Sequence, residues 1–176
     1  LAREDVLAAF EANQASLLEL AEAERLFWLA CRRLASVVRT LDWVPEELQP
    51  LESMLADVYT CNFSLFQSLP DSWAIGQLFP ILPIHRLDEA PKARAILSDL
   101  TCDSDGMIKR FVDLRDVAPV LPLHHTGHEP YILGVFLAGA YQEVLGDLHN
   151  LFGDTNAVHV SAVSHGYRVE RVIRGD

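Results

Sequence analysis

The sequence predicts an α+β protein, with a helical N-terminal segment that forms part of a helical bundle followed by a mostly β C-terminal domain. Three observations predict it. Apolar residues recur at helical spacing in the first part of the chain. After Tyr59, short apolar runs of strand composition take over. Pro45 and Pro50 punctuate the ground between the two textures. The boundary is set so that residues 1–43 form the helical segment and residues 44–176 the β domain.

The elements follow in order. Residues 1–13, with Val6, Leu7 and Phe10, read as a weak first helix. Ser16-Leu17-Leu18-Glu19 is a capping box, in which the serine and glutamate satisfy each other's backbone donors. Phe27, Cys31, Leu34, Val38 and Leu41 then recur along one face, with Arg25, Arg32, Arg33 and Arg39 between them. Two helices joined near Ala12–Ser16 make a hairpin that buries little apolar area alone and needs something to pack against. Pro45, followed by Glu46 and Glu47, suits the first turn of a short helix. Strands are expected at 59–63, 81–84, 95–102 and 131–136, the last apolar on both faces. One short helix is expected at 141–148. Residues 157–163 and 167–173 form a hairpin turning at Ser164-His165-Gly166.

Composition removes several classes of function. Half the residues are hydrophobic, 50%, so a packed core is expected. The net charge of -11 argues against a nucleic-acid partner and against an anionic membrane surface. The apolar stretch 131–141 is too short to span a bilayer. Cys31, Cys61 and Cys102 are widely spaced and form no disulfide framework, which fits reduced thiols and a cytoplasmic setting. The N-terminus carries no signal-peptide pattern. Leu1 at the start and the trailing Arg174-Gly175-Asp176 read as cuts within a longer chain.

Three places can carry chemistry. Thr101-Cys102-Asp103-Ser104-Asp105-Gly106 is a loop at a strand end. These residue types also make an ordinary tight turn. As a functional loop it sets a thiol beside two carboxylates. Negative charge next to a thiol favours its protonated form, hence a proton donor rather than a nucleophile. Asp103 and Asp105 can hold a guanidinium through charge-assisted hydrogen bonds. The second place is Gly139-Ala140-Tyr141-Gln142, where small residues let a ligand approach the backbone and Tyr141 offers a hydroxyl to an anion. The same triplet also reads as a plain strand-to-helix junction. The third is His124, His125 and His128, set among Pro119, Pro122 and Pro130. Their spacing matches no metal-ligand pattern, and they are expected on an exposed loop with no metal bound.

Long strings extend this reading. Asn62 to Asp71 (NFSLFQSLPD), Asp99 to Gly106 (DLTCDSDG), Gly139 to His159 (GAYQEVLGDLHNLFGDTNAVH) and Ala23 to Arg33 (AERLFWLACRR) resemble the biosynthetic arginine decarboxylases, and the resemblance runs from about residue 16 to the end. That family has the alanine racemase and ornithine decarboxylase-like fold, a TIM-type barrel with a C-terminal β domain. The resemblance implies decarboxylation of L-arginine to agmatine and CO2, in polyamine (spermidine) biosynthesis, with pyridoxal 5'-phosphate as cofactor and a stated magnesium requirement. It implies a homodimer or higher homo-oligomer with shared active sites. It assigns Cys102 as the group that protonates the α-carbon, Asp103 and, more weakly, Asp105 as substrate contacts, and Tyr141 as a phosphate ligand. The family's cofactor lysine lies in the barrel. Here the lysines are Lys92 and Lys109, and neither stands in that motif. This chain is therefore expected to be the C-terminal portion of the enzyme, inactive alone, meeting the barrel of its own or a partner subunit. The alternative is a non-catalytic dimerisation or regulatory module. Specificity for ornithine, lysine or diaminopimelate also stays open.

Overall fold

A computed structural model of the chain describes residues 2–114 and 116–175; Leu1, Arg115 and Asp176 lie outside it. The chain divides into two compact units, Leu1–Leu55 and Ala56–Asp176.

The first unit is a helical hairpin. Helix α1 spans Ala2–Glu11 and α2 spans Leu17–Val38. Ser16 caps α2 as the sequence predicts: its side chain accepts from the Glu19 N–H, and the Glu19 carboxylate accepts from the Ser16 N–H at 2.7 Å. These bonds hold the Glu19 carboxyl below its usual range. Arg3 ties α1 to α2 by a 2.6 Å bond to Glu24 and by stacking over the Phe27 ring. A 3-10 turn, Glu46–Leu48, follows Pro45, and α3 spans Pro50–Met54. The buried apolar residues described in this unit are Ala35 and Leu51, while Leu17, Leu18, Leu26 and Val37 are exposed.

The second unit is built around one strand. β1 spans Asp57–Thr60. Two short helices follow, α4 over Leu65–Ser68 and α5 over Pro70–Ala74. Ser64 caps α4, and Pro70 ends it and opens α5, since its ring fixes φ and removes a donor. β2 is Ile81–Pro83, and β3, Ala93–Ser98, is central. Next come β4 Met107–Ile108, β5 Phe111–Val112, β6 Val117–Ala118, β7 Leu121–Leu123 and β8 Leu133–Val135. Helix α6 spans Ala140–Val144, and the chain closes with β9 Ala157–Val163 and β10 Gly166–Ile173.

Strand β3 pairs in parallel with β1, and antiparallel with β7 at one end and β4 at the other. Its side chains alternate, with Ala93, Ala95 and Leu97 buried, as a half-buried strand requires. Leu65, Leu69, Phe79, Ile81, Ile108, Phe111, Leu121 and Leu123 join Ala95 and Leu97 in one buried core cluster.

Several boundaries differ from the sequence-based expectation. The strand expected at 95–102 ends at Ser98, so Cys102 lies in a loop. The strand expected at 131–136 is only Leu133–Val135, with single backbone bonds just beyond it, from the Ile84 N–H to the Ile132 carbonyl and from the Phe136 N–H to the Pro80 carbonyl. Residues 61–63 fall outside β1. Helix α6 stops four residues short of the expected Leu148, and α4 and α5 stand where the sequence reading assigned no element.

Candidate active site

Helix α4 is the joint of the site. It comes from the string Asn62–Asp71, and adjacent residues of it hold two different loops. The Leu65 N–H donates to Asp99 Oδ2 at 2.8 Å. The Phe66 carbonyl accepts from the Asp147 N–H at 3.1 Å, and the Phe66 ring lies 4.4 Å from the His149 ring.

Asp99 roots the first loop. Asp99 is 3% exposed, and a buried polar group must be hydrogen-bonded to be tolerated. Besides Leu65, its Oδ1 accepts from the Thr101 N–H at 2.9 Å and the Thr101 hydroxyl at 2.8 Å. Its own N–H donates to the Gly106 carbonyl at 2.8 Å. Gly106 is required here, since a Cβ on it would lie 2.2 Å from Asp99 Oδ1. Between these anchors Cys102, Asp103, Ser104 and Asp105 are all exposed. Asp103 Oδ1 accepts from the Asp105 N–H at 2.9 Å, an Asx turn that stiffens the tip. The loop thus presents one thiol and two carboxylates from a fixed base.

The second loop meets the first. The Asn150 side-chain N–H donates to Cys102 Sγ at 3.1 Å. Asn150 sits in a tight turn closed by a bridge between His149 and Phe152.

Tyr141 lies on the first turn of α6, three-quarters exposed at 75%. Its neighbour Gln142 is buried and exchanges bonds with Asp71 of α5: Gln142 Nε2 donates to the carboxylate, and the Asp71 N–H donates back at 3.2 Å. Gly139, capping α6, opens onto free space, with no atom within 4 Å of the position a Cβ would take. No hydrogen bond among the described residues joins Tyr141 to Cys102, Asp103 or Asp105; α4 and α5 carry both sides. Sequence reasoning missed Asp99, Asn150 and Gln142 as supports. All three lie inside strings quoted above, Asp99 as the first residue of one and Gln142 and Asn150 within Gly139–His159, but nothing in the strings marks them as supports.

The histidine group is not one loop. His125 and His128 are exposed, but His124 is 4% exposed, which corrects the expectation for that residue. The Tyr131 hydroxyl accepts from the His124 backbone N–H at 3.0 Å and lies 2.8 Å from its Nδ1. Nε2 lies 2.9 Å from the Glu89 carbonyl. The consistent wiring has Tyr131 donating to Nδ1 and Nε2–H donating to Glu89, which occupies both ring nitrogens. Among the described residues, no group of three or more His, Cys, Asp or Glu converges where a metal could sit. No described helix is long and apolar enough to cross a membrane.

A cleft of about 840 Å³ lies elsewhere in this unit, lined by residues including Tyr59, Cys61, Phe63, Leu97 and Tyr131. It is mostly apolar, and burial pushes the Cys61 thiol and the Tyr59 phenol up. None of Cys102, Asp103, Asp105 or Tyr141 lines it.

Residues 2–52 match the family model described as the arginine decarboxylase helical bundle domain. The biosynthetic arginine decarboxylase of Gloeobacter violaceus is 58% identical over 99% of this chain, and that of Nostoc sp. 55% over 99%. The chain belongs to the biosynthetic arginine decarboxylase family. It spans 28% and 26% of the length of those two relatives. The crystal structure of the biosynthetic arginine decarboxylase from Campylobacter jejuni matches 98% of this chain with a TM-score of 0.75 at 37% identity, and the match covers 26% of that chain. The family expected from the Asn62–Asp71, Asp99–Gly106 and Gly139–His159 strings is therefore the one found.

Proposed function

We propose that the full-length protein containing this sequence decarboxylates L-arginine to agmatine and CO2, and that this chain supplies one wall of the active site. The observation that carries the reading is the rooted loop. An exposed thiol and two exposed carboxylates stand within four residues, on a base fixed by buried Asp99.

Each residue has a role that its chemistry supports. Cys102 delivers a proton to the α-carbon that has lost CO2. Asp103, with Asp105 behind it, binds the guanidinium at the far end of the substrate. Tyr141 donates its hydroxyl to the cofactor phosphate. Open space at Gly139 and an exposed phenol beside it fit one edge of such a group. Pyridoxal phosphate, when bound, supplies the electron sink. Lys92 and Lys109 are exposed and lie outside the family's cofactor-lysine motif, so that lysine comes from the barrel, in the same or a partner subunit of a homo-oligomer. Among the described residues no three or more His, Cys, Asp or Glu converge to cage a magnesium ion. The setting is cytoplasmic, within polyamine biosynthesis.

The test is turnover of L-arginine by the full-length protein loaded with pyridoxal phosphate. Agmatine and CO2 should appear in equal amounts. Cys102→Ser should lower kcat by about 100-fold or more, the scale of a lost proton donor. Asp103→Ala should act chiefly on KM for arginine. Absence of agmatine, or parent rates in both variants, overturns the reading.

A further inference from the structure

We propose that Asn150 is a positioning residue for the Cys102 thiol, holding the sulfur as a hydrogen-bond acceptor and stabilising the thiolate left when the proton departs. The inference rests on the reading of Cys102 as proton donor.

The argument begins with the backbone. Asn150 has φ +51° and Leu151 φ +63°, two successive non-glycine residues in the left-handed region. Asparagine tolerates that region and leucine does not, so the surroundings must hold the turn. They do. The His149 ring packs on Phe66, His149 bridges to Phe152, and Asp147 is tied to the Phe66 carbonyl. The residue before Phe66, Leu65, holds Asp99 and with it the base of the Cys102 loop. Neighbouring residues of one helix therefore fix both ends of the contact between Asn150 Nδ2 and Cys102 Sγ, 3.1 Å long and spanning 48 residues of sequence.

The chemistry gives that contact a use. With the amide N–H donating to sulfur, the thiol acts as acceptor toward the protein, and its own hydrogen is left to face outward. In the transfer the S–H bond breaks and its electron pair stays on sulfur. The C–H bond forms from the electron pair left on the α-carbon by loss of CO2. Negative charge thus grows on sulfur, where an N–H donor stabilises it. Asn150 supplies that donor without adding a charge to a site that must also hold a cation.

The experiment reads Cys102 directly. Full-length protein without cofactor is alkylated with iodoacetamide over a pH series, and labelling of the Cys102 and Cys61 peptides is followed by mass spectrometry. Asn150→Asp, which replaces the donor by a carboxylate, should move the half-rise of Cys102 labelling up by about one pH unit. Asn150→Gly removes the donor but accepts the left-handed backbone, and should shift it in the same direction by less. Unchanged Cys61 labelling in both variants reports an intact fold. Curves that overlay the parent in both variants overturn the inference and leave the proton-donor reading standing. A shifted curve together with parent turnover in Cys102→Ser keeps the hydrogen bond but removes the reading on which its catalytic use depends.

Discussion

The helical unit and the β unit are held together by opposite means. The hairpin of α1 and α2 relies on a cap, the Arg3–Glu24 pair and a cation over a ring, with little apolar burial beneath them. The β unit has a ten-residue buried core and, set into its edge, the buried polar groups Asp99 and Gln142. The difference shows where precise chemistry can be mounted. A solvated ion pair contributes little and moves freely. A buried carboxylate that accepts three hydrogen bonds, as Asp99 does from the Leu65 N–H, the Thr101 N–H and the Thr101 hydroxyl, fixes a loop, because movement leaves it unpaired in a low-dielectric setting. The candidate site hangs from the second kind of anchor.

The comparison can be broken most forcefully at the core. Leu123 is fully buried on β7, at 0% exposure, opposite Ala93 of β3. Leu123→Ala should destabilise the β unit by about 3 kcal/mol through lost transfer energy and a residual cavity. Urea unfolding followed by the fluorescence of Trp73, with Trp28 and Trp43 of the helical unit replaced by Phe, would show it, with the far-UV signal of the helical unit unaffected in midpoint. A common shift of both signals would mean that the units unfold as one.

Asp99 comes next. Asp99→Ala strands the Leu65 and Thr101 N–H groups and should cost about 2 kcal/mol. Its signature is local. Amide exchange should rise at residues 100–106 far more than along β3, whereas Leu123→Ala should raise both. Equal protection of the loop in Asp99→Ala and parent would show that the loop needs no root.

How much of this was legible in the sequence follows from the range of each interaction. Ser16 and Glu19 are three residues apart, so the capping box can be read directly. The β9–β10 hairpin is equally local, and its register holds apart from a bulge between Val169 and Arg171. The Cys102 loop was legible as a loop because Asp, Ser and Gly are turn formers. Its support was not, because Leu65 and Asp99 meet across 34 residues and Asn150 and Cys102 across 48. The strands β4, β5 and β6 have two residues each, too short for any alternation to appear. His124 misled for a related reason. Its proline-rich surroundings look like surface, yet Tyr131 and Glu89 close over it.

A smaller effect tests the helical side. Ser16→Ala removes the N-cap acceptor and should lower hairpin stability by about 1 kcal/mol. The same cap has a pH signature. Because Glu19 sits below its usual value in the folded hairpin, its contribution is present above the ordinary glutamate range near 4.5 and fades as pH falls through the depressed folded value. Helical ellipticity of the parent should therefore decline in that acid window, and Glu19→Gln, which removes the titrating carboxylate, should flatten the decline. An identical acid transition in both would assign it to other carboxylates.

The smallest expected effect lies on the closing ribbon. The pairing of β9 with β10 puts Val158, Val160, Ala162, Tyr167, Val169 and Val172 on one face, and all six are exposed. A two-stranded ribbon with nothing on its apolar face draws little stability from that face. Val160→Thr keeps the branched β-carbon that suits a strand and adds a hydroxyl that water can satisfy. In this chain it should change the urea midpoint by no more than about 0.5 kcal/mol equivalent. A loss well above 1 kcal/mol, with the monomer mass unchanged, would show that the face is packed in solution. The ribbon would then belong with the core of the β unit, and the contrast between packed sheet and solvated surface would have to be redrawn inside that unit.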